Sequence, residues 1–238
     1  MNKTSESYGE LEKQLGYTFQ DRGILTEALT HSSYSNEIKA RGSEVECNER
    51  LEFLGDSVLS LAVTGYLFEK YKEFQEGDLT KIRASVVCEK ALAKYAAKIG
   101  LGDHILLGHG EDMNRGRERA SILSDAFEAV LAAMYLDSGE DMEVIKKFVL
   151  PLAIAEIGDG RAEKFVDYKT ALQQIVQQVG TEKLEYVLVG EHGPDHDKTF
   201  EVEARLNSNV IGKGKARSKR EAEQQAACEA LSLFGENE

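Results

Sequence analysis

Residues 48–57 read NERLEFLGDS. Glu49, Glu52 and Asp56 fall three and four residues apart, and at about 100° per residue a helix gathers them into one narrow stripe. The surroundings are apolar: Leu51, Phe53 and Leu54 lie among the acids, and Val58, Leu59, Leu61, Ala62 and Val63 follow. Like charges so spaced repel by about 0.2–0.5 kcal/mol per pair when solvated. The cost grows with burial. A second set has the same character, Asp125 and Glu128 in SILSDAFEAVLAAMYL, on a helix apolar nearly all round. Glu76, in the expected turn QEGD, is a further candidate. Two readings are open: solvated helix faces, or acids that converge on a cation. Asp125 and Glu128 have few polar residues beside them, which favours a shared cation. Carboxylates with no nearby Cys or His suit a hard ion, Mg²⁺ or Mn²⁺, rather than zinc. Such an ion activates water and stabilises in-line displacement at phosphorus.

The elements that must position these acids read as helices. GELEKQLG ends on a glycine stop, and DRGILTEALTHSSY carries apolar residues at helical spacing. ERLEFLGDSVLSLAVTGYLFEKY and SILSDAFEAVLAAMYLDSG are long, largely apolar helices, with DLTKIRASVVCEKALAKYAAKIG between them. HGEDMNRGRERA, polar and glycine-bearing, reads as a loop. No period-2 strand is expected before residue 155. His31, in LTHSS, has no paired nucleophile and reads as structural.

Past the polar, Gly-rich EIGDGRAEK the pattern changes. DYKTALQQIVQQVG reads as a helix and LEYVLVGEHG as a strand. In KTFEVEARLN, Phe200, Val202, Ala204 and Leu206 alternate with Glu201, Glu203 and Arg205, a second strand. NVIGKGKA is a third, and SKREAEQQAACEALSLFG a final helix. The expected architecture is an all-α domain at 8–155, a linker at 156–165, and a small α+β domain of order α-β-β-β-α at 166–235.

The formal net charge is −13, which by itself argues against a nucleic-acid partner. The charge is unevenly placed, however. KGKARSKR holds Lys213, Lys215, Arg217, Lys219 and Arg220 with no acid. Ser218 is placed to cap the last helix, so that Lys219 and Arg220 occupy its first turn, where phosphate is favoured. Thr170, Gln173, Gln174 and Gln177 offer short polar groups suited to the 2′-hydroxyls of an A-form minor groove. The loop EHGPDHDKTF contains His196-Asp197, but no second histidine cluster supports a metal there. The N-terminus lacks the apolar run of a secretory signal, and no apolar stretch is read as spanning a membrane. Cys47, Cys88 and Cys228 are odd in number and widely spaced, which points to a reducing cytoplasm.

NERLEFLGDSVL closely resembles the signature of the ribonuclease III family of double-stranded-RNA endonucleases. LTHSS, EGDLTKIRASVV and ILSDAFEAVLAAMYLD match its other blocks in order, and the C-terminal pattern is similar to its double-stranded-RNA-binding domain. The resemblance covers nearly the whole chain. It implies Mg²⁺-dependent cleavage of duplex RNA (Mn²⁺ substituting), processing of rRNA and mRNA precursors, and 5′-phosphate and 3′-hydroxyl ends. Asp56 and Glu128 match the positions closest to the catalytic metal, with Glu52 and Asp125 as further ligands or supporting groups. Glu49 and Glu76 match positions that touch RNA or water. Phe53 matches a contact in a homodimer with one cutting centre per subunit. In the RNA-binding part the resemblance points to His196, in the minor-groove loop, and to Lys215, Arg217, Ser218, Lys219 and Arg220. Ala216 stands where glycine is common and Arg220 where lysine is common. The competing expectation is a non-catalytic duplex-RNA-binding regulator, but that would have been expected to lose one or more of the six acids.

Overall fold

The computed structural model describes residues 3–158, 167–179, 182–194 and 197–234. Backbone contacts divide the chain into two compact units, with the boundary between residues 165 and 166. The first unit is helical: α1 Lys3–Leu15, α2 Arg22–Ala28, α3 Ser32–Ala40, α4 Glu49–Lys70, α5 Glu76–Val87, α6 Glu89–Lys98, α7 His109–Met113, α8 Ala120–Asp137 and α9 Met142–Ile157. Two short 3₁₀ turns lie at Leu101–His104 and Gly116–Glu118.

Helix α8 is the axis of this unit. Ile122, Leu123, Ala126, Phe127 and all of Ala129 to Met134 are buried. α4 packs along it, burying Leu51, Gly55, Val58, Leu59, Ala62, Val63 and Leu67, a face three to four residues in period. By length and composition α4 is also apolar enough to cross a bilayer, contrary to the sequence reading. Part of that composition is the face buried against α8; the rest includes the exposed Phe53, Leu61 and Phe68.

Several boundaries differ from the sequence reading. DRGILTEALTHSSY is two helices, because His31 adopts an extended backbone and its Nδ1 accepts the Ser33 N–H at the start of α3. The strand-like pairing found among the described residues of this unit is an isolated bridge between Thr30 and Leu106. The stretch from Asp78 to Gly100 breaks at Cys88, whose extended backbone ends α5 and whose carbonyl accepts the Ala91 and Leu92 N–H groups of α6. HGEDMNRGRERA contains α7 and a 3₁₀ turn, held by the Arg117 guanidinium on the carbonyls of Gly102 and Ile105. α9 runs two residues past 155, since Ile157 is buried and Gly158, at φ 67°, stops it. The rest of the expected linker, 159–165, lies outside the described residues.

The second unit has the order α10 Tyr168–Val179, β1 Leu184–His192, β2 Thr199–Leu206, β3 Asn209–Ala216 and α11 Lys219–Ser232. The strands form an antiparallel sheet in sequence order. The two-residue turn Asn207-Ser208 joins β2 to β3 with both φ positive, the geometry that matches strand twist. Val202 and Ala204 point into a core with Leu172 and Val176 of α10 and Ala222, Ala226, Ala227 and Ala230 of α11. Glycines let β3 lie flat on α11: a Cβ on Gly214 would sit 1.9 Å from the Ala222 carbonyl oxygen.

Candidate functional site

The buried faces of α4 and α8 dictate where their acids go. Glu52 lies at the edge of the face that α4 turns to α8, and is half-buried. Asp125 and Glu128 sit one turn apart on α8 and are half-buried too. One carboxylate oxygen from each of Glu52, Asp125 and Glu128 lies within 4.8 Å of the others. Asp56, expected nearest the metal, falls outside this group of three and is exposed, but its charge is the foremost of those acting on Glu128.

The electrostatics are those of acids held close together and partly out of solvent. Burial first, then the charges of Asp56, Glu52 and Asp125, push Glu128 up to about 8. Burial also raises Glu52, helped by Asp125, Glu49 and Asp56. Asp125 is raised chiefly by burial, against the Ser124 hydroxyl at 3.2 Å and the charge of His31. An all-carboxylate set with this much mutual repulsion fits a divalent cation, which would neutralise several of the charges at once.

Glu49 is exposed at the start of α4, within electrostatic reach of Glu52. Glu76 departs from the sequence reading. It opens α5 rather than sitting in a turn, and its carboxylate accepts the Thr80 hydroxyl at 2.9 Å. It is not among the charges that raise Glu52 or Glu128. Phe53 is 80% exposed and therefore no core residue. Leu61 and Phe68, further along the same side of α4, are exposed too, an apolar stripe interrupted by the exposed Ser57 and Thr64.

The sequence reading missed Gly55. A Cβ there would lie 1.9 Å from the Glu128 carbonyl oxygen, so this glycine is what lets the two helix backbones meet where the acids are. The signal was available: a glycine in the interior of a strong helix, one residue before an acid of the stripe.

In the second unit Thr170, Gln173, Gln174 and Gln177 are exposed on α10. Ser218 caps α11, accepting the Glu221 N–H at 3.2 Å. Lys213, Lys215, Arg217, Lys219 and Arg220 are all exposed. Four of them meet carboxylates: Lys213 with Glu203 at 3.4 Å, Lys215 with Glu201 at 2.5 Å, Arg217 with Asp197 at 3.6 Å and Lys219 with Glu191 at 3.0 Å. His196 lies outside the described residues.

Comparison with known proteins follows the same division. Residues 21–157 match the family described as Ribonuclease-III-like, and residues 168–233 the Double-stranded RNA binding motif. The chain is 50% identical over 223 residues to Ribonuclease 3 of Pelotomaculum thermopropionicum, covering 93% of this chain and 90% of that one. It is 44% identical over 234 residues to Ribonuclease 3 of Bacillus cereus, covering 98% and 94%. Among solved structures, the nuclease domain of ribonuclease III from Campylobacter jejuni matches with a TM-score of 0.55 at 46% identity, covering 60% of this chain and 94% of that one. That structure is described as showing flexibility in a region involved in dimer formation.

Proposed function

The chain belongs to the ribonuclease III family, and on that premise we propose that it cleaves double-stranded RNA by divalent-metal-dependent phosphodiester hydrolysis at the carboxylates of α4 and α8. The observation that carries this reading is the convergence of Glu52, Asp125 and Glu128 within 4.8 Å, on helices otherwise committed to the core.

In this reading Glu52, Asp56, Asp125 and Glu128 would hold the ion, with Asp56 and Glu128 the closest to it. Mg²⁺ suits an all-oxygen set, and Mn²⁺ can replace it. When bound, such an ion supplies an activated water and neutralises charge on the phosphate. Gly55 and Ser124 keep the ligands in place. Glu49 and Glu76 position RNA or water at the rim. Departure of the ribose 3′-oxygen leaves 5′-phosphate and 3′-hydroxyl ends. The second unit, 166–235, grips the duplex by its phosphates and minor groove rather than by sequence, through Thr170, Gln173, Gln174, His196, Lys215, Arg217, Lys219 and Arg220. Structured rRNA and mRNA precursors are the substrates such a grip suits. The apolar stripe of Phe53, Leu61 and Phe68 supports a homodimer, which would set one cutting centre against each strand. The three cysteines, all free, accord with a cytoplasmic setting.

The test is cleavage of a perfect RNA duplex with Mg²⁺ and with EDTA. Cutting in Mg²⁺ and none in EDTA is expected, and full activity in EDTA would refute the reading.

A further inference from the structure

Two of the ammonium groups on the RNA-binding unit share one carboxylate. Lys219 Nζ lies 3.0 Å from Glu191 Oε1, and Lys198 Nζ lies 3.7 Å from Glu191 Oε2. The Lys219 ammonium also stands 5.3 Å from the centroid of the Phe200 ring, which faces Glu191 across the β1–β2 pairing. Glu191 is at the end of β1, Lys198 just precedes β2, and Lys219 opens α11. A single side chain thus ties together three segments, the end of β1, the start of β2 and the start of α11.

We propose that Glu191 is a positioning residue for duplex-RNA binding, bridging Lys198 and Lys219 so that the Lys219 ammonium is held over Phe200 and ready for a phosphate oxygen. The proposal rests on the reading above in which Lys219 contacts RNA phosphate. Two effects of Glu191 oppose each other. Its charge repels the phosphate, yet each of its oxygens already faces an ammonium, so the three groups together carry a net positive charge. Over a Debye length of about 10 Å the polyanion meets that sum rather than the carboxylate alone. Without Glu191, Lys219 regains a flexible four-carbon stem that must be ordered again when RNA binds. An isolated exposed pair does little of this work. Here one carboxylate serves two cations, and an aromatic face adds a third contact. Pre-ordering therefore outweighs repulsion.

The test uses the full-length protein, with binding of a perfect RNA duplex measured in Ca²⁺ over a range of salt concentrations. The variants are Glu191→Gln, Lys219→Ala and the double. Glu191→Gln should weaken binding about three- to tenfold near physiological salt and lower the salt slope by about one contact. In the Lys219→Ala background it should cause no further loss. In cleavage assays KM should rise while kcat holds. Glu191→Asp keeps the charge with a shorter reach and should recover part of the loss, and it carries the test if the Gln variant folds poorly. Unchanged or tighter binding by Glu191→Gln overturns the proposal. So does an equal loss in the Lys219→Ala background, which would make the role merely structural. Wild-type binding by Lys219→Ala alone would remove Lys219 from the RNA contact, and the proposal with it. A loss on Lys219→Ala with none on Glu191→Gln removes only Glu191.

Discussion

Gly55 of α4 lies against the backbone of Glu128 on α8, so close that a Cβ would sit 1.9 Å from the Glu128 carbonyl oxygen and 2.4 Å from its carbon. The obstacle is helix backbone, which cannot swing aside like the end of a side chain. Gly55→Ala should therefore push the helices apart. Overpacking of this kind costs about 1–3 kcal/mol, more than the roughly 1 kcal/mol that Ala gains over Gly in helix propensity. The expected variant is less stable to denaturant and has weaker Mg²⁺-dependent activity, because Glu52 and Asp56 move away from Asp125 and Glu128. Wild-type stability and metal response in Gly55→Ala would show that the contact can relax.

The carboxylate cluster also predicts an unusual pH response in the metal-free protein. Burial, then Asp56, Glu52 and Asp125, lift Glu128 from an ordinary 4.5 to about 8. The folded chain then holds a proton that the unfolded chain releases. This group's contribution to stability is full below about pH 4.5 and is lost as the pH rises through about 8. In EDTA the melting temperature should fall between pH 6 and pH 8, and Glu128→Gln should flatten that fall. Added Mg²⁺ should stabilise most at the alkaline end, where the carboxylates are charged. A metal-free melting temperature indifferent to both pH and the Gln substitution would mean that the acids are better solvated than the geometry implies.

Phe53, 80% exposed beside the acid stripe, is expected to be covered by a second copy of the chain. Phe53→Asp places a charge in the stripe and should shift the protein from dimer to monomer in sedimentation or light scattering. Helix content should persist, since the side chain supports none of this unit's own core. A wild-type protein that is monomeric at micromolar concentration would sink the idea.

The acids were legible because residue type and i, i+3, i+4 spacing are local properties. Asp125 and Glu128 stood out against Ala126, Phe127 and Ala129, which left no solvated face for them. The alternation of β2 was legible for the same reason, with Val202 and Ala204 inward and Glu201 and Glu203 outward. What the sequence could not show depends on other segments. Nothing within α4 requires a glycine at 55; α8 does. Phe53 has the residue type of a core position; the family resemblance pointed to a partner contact, and the packing of α4 shows that it faces away from this unit's core. The breaks at His31 and Cys88 come from extended backbone and hydrogen bonds to following residues, not from a proline or glycine. The basic cluster at the end of β3 was visible, but the carboxylate partners of Arg217 and Lys219 come from elsewhere in the chain, Glu191 near the end of β1 and Asp197 just before β2.

Glu128 is expected to act in the chemistry and not in holding RNA. Glu128→Gln keeps the side-chain shape, takes away the carboxylate that would ligate the metal, and removes the repulsion of Asp56, Glu52 and Asp125 that Glu128 feels once it ionises above about pH 8. The direct measurement pairs a gel shift on duplex RNA in Ca²⁺ with single-turnover cleavage in Mg²⁺. The predicted result is a stable protein with near-normal RNA affinity and cleavage slowed by about a thousandfold or more, equivalent to roughly 4 kcal/mol of lost transition-state stabilisation. Near-normal cleavage by Glu128→Gln would contradict it.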